Sequence, residues 1–228
     1  MNVAIIPARG GSQRIARKNI KPFLGKPIIA YAISAAQASG CFERIIVSTD
    51  DPEIAAIASY YGAEVPFMRP ANISDDHAST MDVMTHCLAY LSAQHTHPDY
   101  VCCLYATAPF LRPEDIRHGF DMVHKQDVEF VFSATSFAFP IQRAITLNHD
   151  NRVTMLDQSH ALTRSQDLPE AYHDAGQFYW GKTDAFIEQK AIFAAHSRAL
   201  VLPRKRVQDI DTPEDWEFAE ALYAVIHS

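Results

Sequence analysis

A glycine pair near the N-terminus is followed by a series of cationic side chains. Gly10 and Gly11 come directly after a short apolar run. Adjacent glycines let successive backbone N–H groups converge on one point, which suits phosphate oxygens. The residues that follow are Ser12, Arg14, Arg17, Lys18, Lys21 and Lys26. Because cationic side chains add long-range attraction and charged hydrogen bonds, the segment predicts a site for a phosphate-bearing ligand.

Acidic residues are absent from the same segment. The chain has 27 Asp and Glu residues, and the first of them is Glu43. An even distribution would place about five of them before that position, so we expect the glycine turn to be shielded from negative charge. The alternative is an ordinary solvated basic loop next to an α/β strand.

Two aspartates near the C-terminus form a second pattern that could carry chemistry. Asp209 and Asp211 lie two positions apart, and on an extended segment such side chains point the same way. Mg²⁺ typically binds one or two carboxylates together with the phosphates of a substrate. The pair therefore predicts a magnesium site. The alternative is that Asp211 serves only the start of the next helix and Asp209 is a solvated loop acid.

The composition excludes several classes of function. The chain has 228 residues, of which 48% are hydrophobic and 21% charged, the profile of a soluble globular protein. Its net charge of −7 argues against a nucleic acid or an anionic membrane as partner. No apolar run approaches the roughly 18 residues of a membrane span. Four cysteines without C-x-x-C spacing, and no export signal, predict free thiols and a cytoplasmic location.

Alternating strands and helices must position these groups. Apolar runs predict strands at 3–6, 44–48, 64–67, 100–105, 128–134, 175–181 and 199–203. Capping residues and periodicity predict helices at 27–39, 52–61, 80–93, 113–125 and from 213 onwards. This alternation is typical of an α/β fold with a doubly wound, mostly parallel sheet, in which strand 100–105 lies centrally. Ligands bind such sheets at the carboxyl ends of the strands, and the polar loop 68–76 is a candidate rim.

The segment from about 135 to 172 interrupts this pattern. Its apolar periodicity weakens, and polar turns separate short runs. We interpret it as a small inserted flap, a dimerisation segment, or both, within a single domain of residues 1–228. Signatures of P-loop NTPases, of G-x-G-x-x-G dinucleotide folds and of G-x-S-x-G hydrolases do not occur in the sequence.

Four segments together resemble the acylneuraminate cytidylyltransferases, which activate nine-carbon acidic sugars with CTP. They are 5–12 (IIPARGGS), 17–20 (RKNI), 47–50 (VSTD) and 209–213 (DIDTP). The resemblance spans nearly the whole chain. It implies a nucleotide-diphospho-sugar transferase-like fold, Mg²⁺ as cofactor, CTP and a nine-carbon acidic sugar as ligands, and a homodimer. Three further segments are similar to family members that act on pseudaminic acid, which is therefore the expected sugar: 24–31, 104–110 and 172–180.

The resemblance also implies roles for matching positions. The nucleotide would be bound by Ala8, Arg9, Gly10, Gly11, Ser12, Arg14, Asn19, Arg69 and Thr80. The catalytic residues would be Arg9, Lys18 and Asp211, and Mg²⁺ would be bound by Asp209 and Asp211. The sugar would be bound by Tyr105, Arg164, His173, Asp174 and Gln177.

The chain departs from the sialic acid enzymes in the loop and at the central strand. Those enzymes have a lysine directly after the loop serine, where this chain has Gln13. The main cation for the triphosphate would then be Arg14 or Lys18. At the end of the central strand, Tyr105 stands in place of a glutamine.

A third departure concerns the sugar pocket. Residues 173–176 (HDAG) stand where the sialic acid enzymes have Arg-Pro-Asn-Gly. A guanidinium that could bind a sugar carboxylate with two hydrogen bonds is therefore missing there, and Arg164 is a candidate replacement. The alternatives are an enzyme for sialic, legionaminic or deoxyoctulosonic acid, or a non-catalytic module that binds a nucleotide or a sugar on the same fold.

Overall fold

A six-stranded sheet forms the centre of the computed structural model, which describes residues 1–75, 78–125 and 127–227. The strands, numbered along the chain, are β1 (Asn2–Pro7), β2 (Pro22–Phe23), β3 (Lys26–Pro27), β4 (Arg44–Ser48), β5 (Tyr100–Leu104), β6 (Phe130–Ser136), β7 (Ile145–Leu147), β8 (Val153–Met155), β9 (Tyr172–Lys182) and β10 (Ser197–Val201). The order in the central sheet is β10-β6-β9-β5-β1-β4.

The sheet is mostly parallel. β1 runs parallel to β4 and β5, and β10 runs parallel to β6. β9 lies antiparallel between β5 and β6, with a bulge in its pairing with β6 between Phe132 and Ala134. β5 has neighbours on both sides, so the prediction that it lies centrally is confirmed.

The described residues contain six α-helices, of which the fifth is not predicted from the sequence. They are α1 (Ile29–Ser39), α2 (Pro52–Tyr60), α3 (Thr80–Ala93), α4 (Pro113–Val123), α5 (Thr183–Ile187) and α6 (Pro213–Ile226). Asp51 caps α2 by accepting from two backbone N–H groups. Ser79 and Thr212 begin α3 and α6 as parts of complete capping boxes, which satisfy backbone donors at the helix start.

Both faces of the sheet are buried by helices. Along β1, Ala4 and Ile6 pack into a cluster with side chains of α1, α2 and α4. The alternating residues Val3 and Ile5 pack on the other face against α3 and α5. Since successive residues of a strand point to opposite faces, this alternation gives two apolar layers. The predicted doubly wound arrangement is confirmed.

A third apolar cluster fastens the C-terminal helix to the N-terminal segment. Phe23, in the β2–β3 hairpin, makes edge-on ring contacts with Tyr31 of α1 and Trp216 of α6, at centroid distances of 5.5 and 5.6 Å. Such aromatic pairs contribute about 0.5–1.5 kcal/mol beyond their buried area. Ile210 belongs to the same cluster and is fully buried. Its burial fixes the backbone between Asp209 and Asp211 beside the N-terminal loop.

Two predicted elements differ in the structure. The strand predicted at 64–67 is reduced to isolated parallel bridges, Ile46 to Glu64 and Thr49 to Met68. The helix predicted from Pro27 begins two residues later, because Pro27 pairs with Pro22 in the β2–β3 hairpin. A local sequence pattern does not show which other segment a residue pairs with.

The segment between β6 and β9, residues 137–171, lies outside the central sheet. It holds the β7–β8 hairpin and three short 3₁₀ turns, Ile141–Arg143, Gln158–His160 and Ser165–Asp167. Its base is a continuation of the β6–β9 ladder, in which Ser136 pairs with Tyr172. Several of its large apolar side chains are exposed: Phe139, Ile141, Ile145, Leu147, Val153, Leu156 and Leu162.

Two further predictions concern the whole chain. All four cysteines are free, as expected. Across the described residues, the helices lack the combination of length and apolar character that crossing a membrane requires.

Candidate active site

A cavity of about 490 Å³ opens where β1 and β5 end, beside the start of α3. Its volume is within the usual range for small-molecule sites. Its lining contains many of the predicted site residues: Arg9, Ser12, Arg14, Lys18, Asn19, Arg69, Thr80, Tyr105 and Asp211. Arg69 comes from the loop that we predicted as a rim, whose last residue, 76, lies outside the described residues.

Backbone contacts hold the N-terminal loop against the sheet. The N–H group of Ala8 donates to the carbonyl oxygen of Ser48 at 2.9 Å, which extends the contact between β1 and β4 by one residue. Farther along, the side-chain amide of Asn19 donates to the carbonyl oxygen of Arg9 at 2.8 Å. Asn19 is buried, so this hydrogen bond fixes the shape of the loop that presents Arg9 to the cavity.

The glycine turn lies against acids that follow β4. The N–H group of Gly10 donates to Asp50 Oδ1 at 2.9 Å. A β-carbon at Gly10 would lie 2.7 Å from Asp51 Oδ2, so a larger residue would displace this carboxylate. Arg17, with a φ of 55°, pairs with Asp51 and Glu53. The expectation that this segment is shielded from negative charge is therefore wrong, because the fold brings acids to it from another strand.

Lys18 joins this loop to the C-terminal aspartates. Its Nζ donates to the carbonyl oxygen of Ile210 at 2.7 Å and lies 3.2 Å from Asp211 Oδ1. Arg14 Nη2 lies 3.0 Å from the same carboxylate oxygen. The side chain of Lys18 is only 20% exposed, so its charge is less screened than that of a surface lysine. Two segments 193 positions apart thus form one wall of the cavity.

The two aspartates fit a divalent cation. Partial desolvation of its carboxyl raises the pKa of Asp209, and the negative charge of Asp211 raises it further, while Lys18 opposes the shift. A bound cation would relieve this repulsion. Within the described ranges, no group of three or more His, Cys, Asp or Glu residues could hold a metal. Carboxylate oxygens are the donors that Mg²⁺ takes together with the phosphates of a substrate, and a magnesium site at this pair stays a prediction.

Arg69 places a buried cation in the cavity wall. The residue is 6% exposed, and desolvation lowers the pKa of its guanidinium. Its Nε and Nη2 atoms have no hydrogen-bond partner among the described residues, and Asp50 Oδ1 lies 3.9 Å from Nη2. Leaving buried donors unpaired costs free energy, about 1–3 kcal/mol for each group. Both nitrogens are buried as well as unpaired, so what Arg69 presents to the cavity is the positive charge of its guanidinium.

Tyr105 lies in the cavity wall and is connected to Asp174 through a residue that sequence reasoning missed. The Tyr105 hydroxyl lies 2.9 Å from the Tyr179 hydroxyl, which donates to Asp174. Tyr179 is two positions after Gln177, and such residues of a strand point to the same face. This alternation would have allowed Tyr179 to be predicted from the sequence. Asp50 was also missed, and its signal is its position just after β4.

The other predicted residues lie outside the cavity lining. Among the described residues, these are Ala8, Gly10, Gly11, Arg164, His173, Asp174, Gln177 and Asp209. Gln177 is buried and donates to the carbonyl oxygen of Arg206 at 2.7 Å. His173 Nδ1 lies 2.8 Å from the carbonyl oxygen of Asp174. Arg164 pairs with Asp167 inside the excursion, at 2.7 Å. Their predicted roles in ligand binding stay predictions.

Comparisons with known proteins agree on one family. The sequence model of the Cytidylyltransferase family matches residues 3–225. The pseudaminic acid cytidylyltransferase of Campylobacter jejuni is 50% identical over 226 residues, which are 99% of this chain and 97% of that protein. The CMP-N,N'-diacetyllegionaminic acid synthase of Legionella pneumophila is 32% identical over 96% of this chain and 95% of its own length.

A solved structure shares the fold. CMP:2-keto-3-deoxy-manno-octonic acid synthetase, solved in complex with CTP, superposes with a TM-score of 0.71 over 99% of both chains. Because its sequence identity is 19%, this likeness concerns the fold alone. The family match covers almost every residue, and the cations of the N-terminal loop and Asp211 line one cavity. The chain belongs to the cytidylyltransferase family.

Proposed function

We propose that this chain is a CTP-dependent nucleotidyltransferase that activates a nine-carbon acidic sugar, pseudaminic acid, as its CMP conjugate and releases pyrophosphate. The observation that carries this proposal is the contact of Lys18 with Asp211, which joins the loop of cations to one of the two aspartates in one cavity. The identity of 50% with a relative named for pseudaminic acid supports the choice of sugar.

Charge neutralisation is the main task of the residues around the triphosphate. The anomeric hydroxyl of the sugar attacks the α-phosphate of CTP, and pyrophosphate leaves. Such a reaction needs positioning and electrostatic stabilisation more than a covalent nucleophile. Arg9, Arg14 and Lys18 face the cavity and supply positive charge, and Gln13 has no charge to add. Arg69 adds a further positive charge to the same cavity lining, which also contains Thr80 at the start of α3.

Asp209 and Asp211 would hold Mg²⁺. When bound, this ion supplies positive charge at the α-phosphate and lowers the pKa of the attacking hydroxyl. In the protein alone, Lys18 and Arg14 neutralise Asp211 and keep it at the cavity. The fold therefore pre-positions the second carboxylate before the nucleotide arrives.

The excursion would form the contact surface of a homodimer. Its exposed apolar side chains include Leu162, which is 98% exposed, and Phe139, which is 83% exposed. A concentration of such side chains is a common mark of a protein interface. Arg164 lies in the same segment, so dimer formation could bring it towards a sugar site. All 228 residues would make one nucleotidyltransferase domain, and the free thiols suit the reducing cytoplasm.

The direct test is a panel of nucleotides and sugars with mass detection of the product. The purified protein is incubated with CTP or UTP, with Mg²⁺ or a chelator, and with pseudaminic, legionaminic, sialic or deoxyoctulosonic acid. We expect a CMP conjugate and pyrophosphate from CTP, Mg²⁺ and pseudaminic acid, and little product when any of the three is replaced or removed.

Two outcomes would redirect the proposal. A higher kcat/KM with legionaminic acid would assign the chain to that sugar, as the Legionella relative suggests. Calorimetric binding of CTP without pyrophosphate release from any sugar would instead favour a non-catalytic nucleotide-binding module.

A further inference from the structure

A row of hydroxyl groups runs from the cavity wall to an acid on β9. Tyr105 lines the cavity, and its hydroxyl lies 2.9 Å from that of Tyr179. The Tyr179 hydroxyl donates to Asp174 Oδ2. At the cavity end of the row, the side chain of Thr80 hydrogen bonds to Tyr105.

The number of protons fixes the direction of every hydrogen bond in this row. An ionised carboxylate accepts only, and a phenol has one proton to donate. The other oxygen of Asp174 accepts from the N–H group of Gly176 at 2.9 Å, so both carboxylate oxygens are acceptors. Tyr179 gives its only proton to Asp174, and Tyr105 must then give its own proton to Tyr179. The oxygen of Tyr105 therefore has only lone pairs left, of which one accepts from the Thr80 side chain and the other is available on the cavity side.

Burial holds this arrangement in place. Tyr179 is 5% exposed, and its ring meets that of Tyr105 edge-on at a centroid distance of 5.5 Å. Desolvation raises the pKa of both phenols, so both keep their protons at neutral pH. Reversing one hydrogen bond would leave a buried oxygen facing another acceptor, which is unfavourable in a site of low dielectric constant.

We infer that Tyr179 and Asp174 are positioning residues that make Tyr105 an acceptor only, so the sugar must present a hydroxyl or an amide N–H group to it. The carboxylate of the sugar carries only acceptors and is directed to another part of the cavity. This selects substrates by repulsion as well as by attraction. The inference rests on the proposed function, because it requires that an acidic sugar enters beside Tyr105.

The test is a double-mutant cycle on the Michaelis constants of the two substrates. Tyr179→Phe keeps the ring and removes the hydroxyl, which frees the proton of Tyr105 to point into the cavity. We expect the KM for the sugar to rise by about 2- to 10-fold, the usual worth of one hydrogen bond, while the KM for CTP stays unchanged. In a Tyr105→Phe background the same substitution should have no further effect on the sugar KM.

A matched control separates this role from a structural one. Tyr31 also has a buried hydroxyl, which donates to the carbonyl oxygen of Phe23 at 2.8 Å in the cluster around α6. Tyr31→Phe should lower the melting temperature and leave both KM values unchanged. If Tyr179→Phe does not fold, Asp174→Asn tests the same row. The asparagine amide can donate a hydrogen bond to the Tyr179 hydroxyl, so Tyr179 is free to donate to Tyr105 instead of accepting from it.

Several results would overturn the inference. An equal effect of Tyr179→Phe with and without the Tyr105 hydroxyl would show that it does not act through Tyr105. A parallel rise in the KM for CTP would show a general distortion of the cavity. Loss of all turnover in Tyr105→Phe would show that this hydroxyl does more than accept one hydrogen bond from the sugar. Failure of the proposed function is a separate outcome, since the wild-type protein would then form no CMP conjugate with any sugar.

Discussion

Replacing Asp211 by asparagine separates the chemical role of this carboxylate from its structural role. In the structure, one oxygen of Asp211 pairs with Lys18 at 3.2 Å and with Arg14 at 3.0 Å. The side chain of Asp211 is 38% exposed and that of Arg14 is 65% exposed, so solvent screens their pair, and the pair with Lys18, which is 20% exposed, is screened less. Pairs of this kind contribute about 0–1 kcal/mol each. For a chain of this size, a loss of about 1 kcal/mol lowers the melting temperature by only about 2–4 °C.

The expected loss of activity is much larger. Removing one preorganised electrostatic stabiliser of a transition state typically lowers kcat by about 10²–10³, or about 2.7–4 kcal/mol. Asparagine keeps the shape of the side chain and loses its charge, so the affinity of the site for Mg²⁺ should fall as well. The fold should persist, because the capping box of Thr212 and Asp215 begins α6 without the Asp211 side chain.

The assay is initial-rate release of pyrophosphate with saturating CTP and sugar, repeated across a titration of Mg²⁺. Thermal unfolding of the same samples measures stability. The matched control is Asp127→Asn, which breaks an exposed ion pair with Arg198, and neither of these residues lines the cavity. Turnover of the Asp211 variant within about threefold of wild type at every Mg²⁺ concentration would refute the role that we give to this carboxylate.

Four further outcomes follow from the same geometry. Arg9→Ala should lower kcat/KM by about 10²–10³ with little change in unfolding temperature, and a near wild-type rate would contradict its role at the triphosphate. Gly10→Ala should raise the KM for CTP and lower stability, because its β-carbon would lie 2.7 Å from the carboxylate of Asp51, which caps α2; unchanged unfolding would contradict this close approach. The pKa of Asp209 is higher in the folded protein than in the unfolded chain, so the folded protein binds the proton of this carboxyl more tightly. The protein therefore loses stability as the pH rises through the raised pKa and Asp209 becomes charged. Without Mg²⁺, Asp209→Asn should therefore melt at a higher temperature than wild type at neutral pH, and the difference should disappear in acid; an equal difference at every pH would exclude this origin. Leu162→Asp should convert a dimer into monomers in sedimentation experiments, and an unchanged mass would remove this side chain from the interface.

Much of the fold could be predicted because its signals are local. Alternating apolar residues define β1, and the side chains of Asp51, Ser79 and Thr212 mark helix starts at the positions where the structure has them. The order of strands and helices then indicates a doubly wound sheet with its ligand site at the carboxyl ends of the strands. The glycine turn and the paired aspartates could be recognised for the same reason, because each pattern lies within a few consecutive residues.

Other features depend on contacts between distant segments. The sequence has no acid before Glu43, yet Asp50 and Asp51 lie against the glycine turn, since β4 pairs with β1. The segment predicted as a strand at 64–67 makes only isolated bridges with β4 and the residue that follows it, at Ile46 and Thr49. The sequence of the segment does not show how far such a pairing extends. The link from Tyr105 to Asp174 requires Tyr179, which the antiparallel pairing of β9 brings beside β5.

The sequence by itself determined which groups could do chemistry: a loop rich in cations, two nearby carboxylates, and a sheet with a ligand-binding edge. Only the tertiary structure decided which of these groups share a cavity and how they are charged and hydrogen bonded. The physical reason is that hydrophobic periodicity and capping are local properties of the chain. The pairing of Lys18 with Asp211 and the burial of Arg69 arise from the packing of segments that are far apart in sequence.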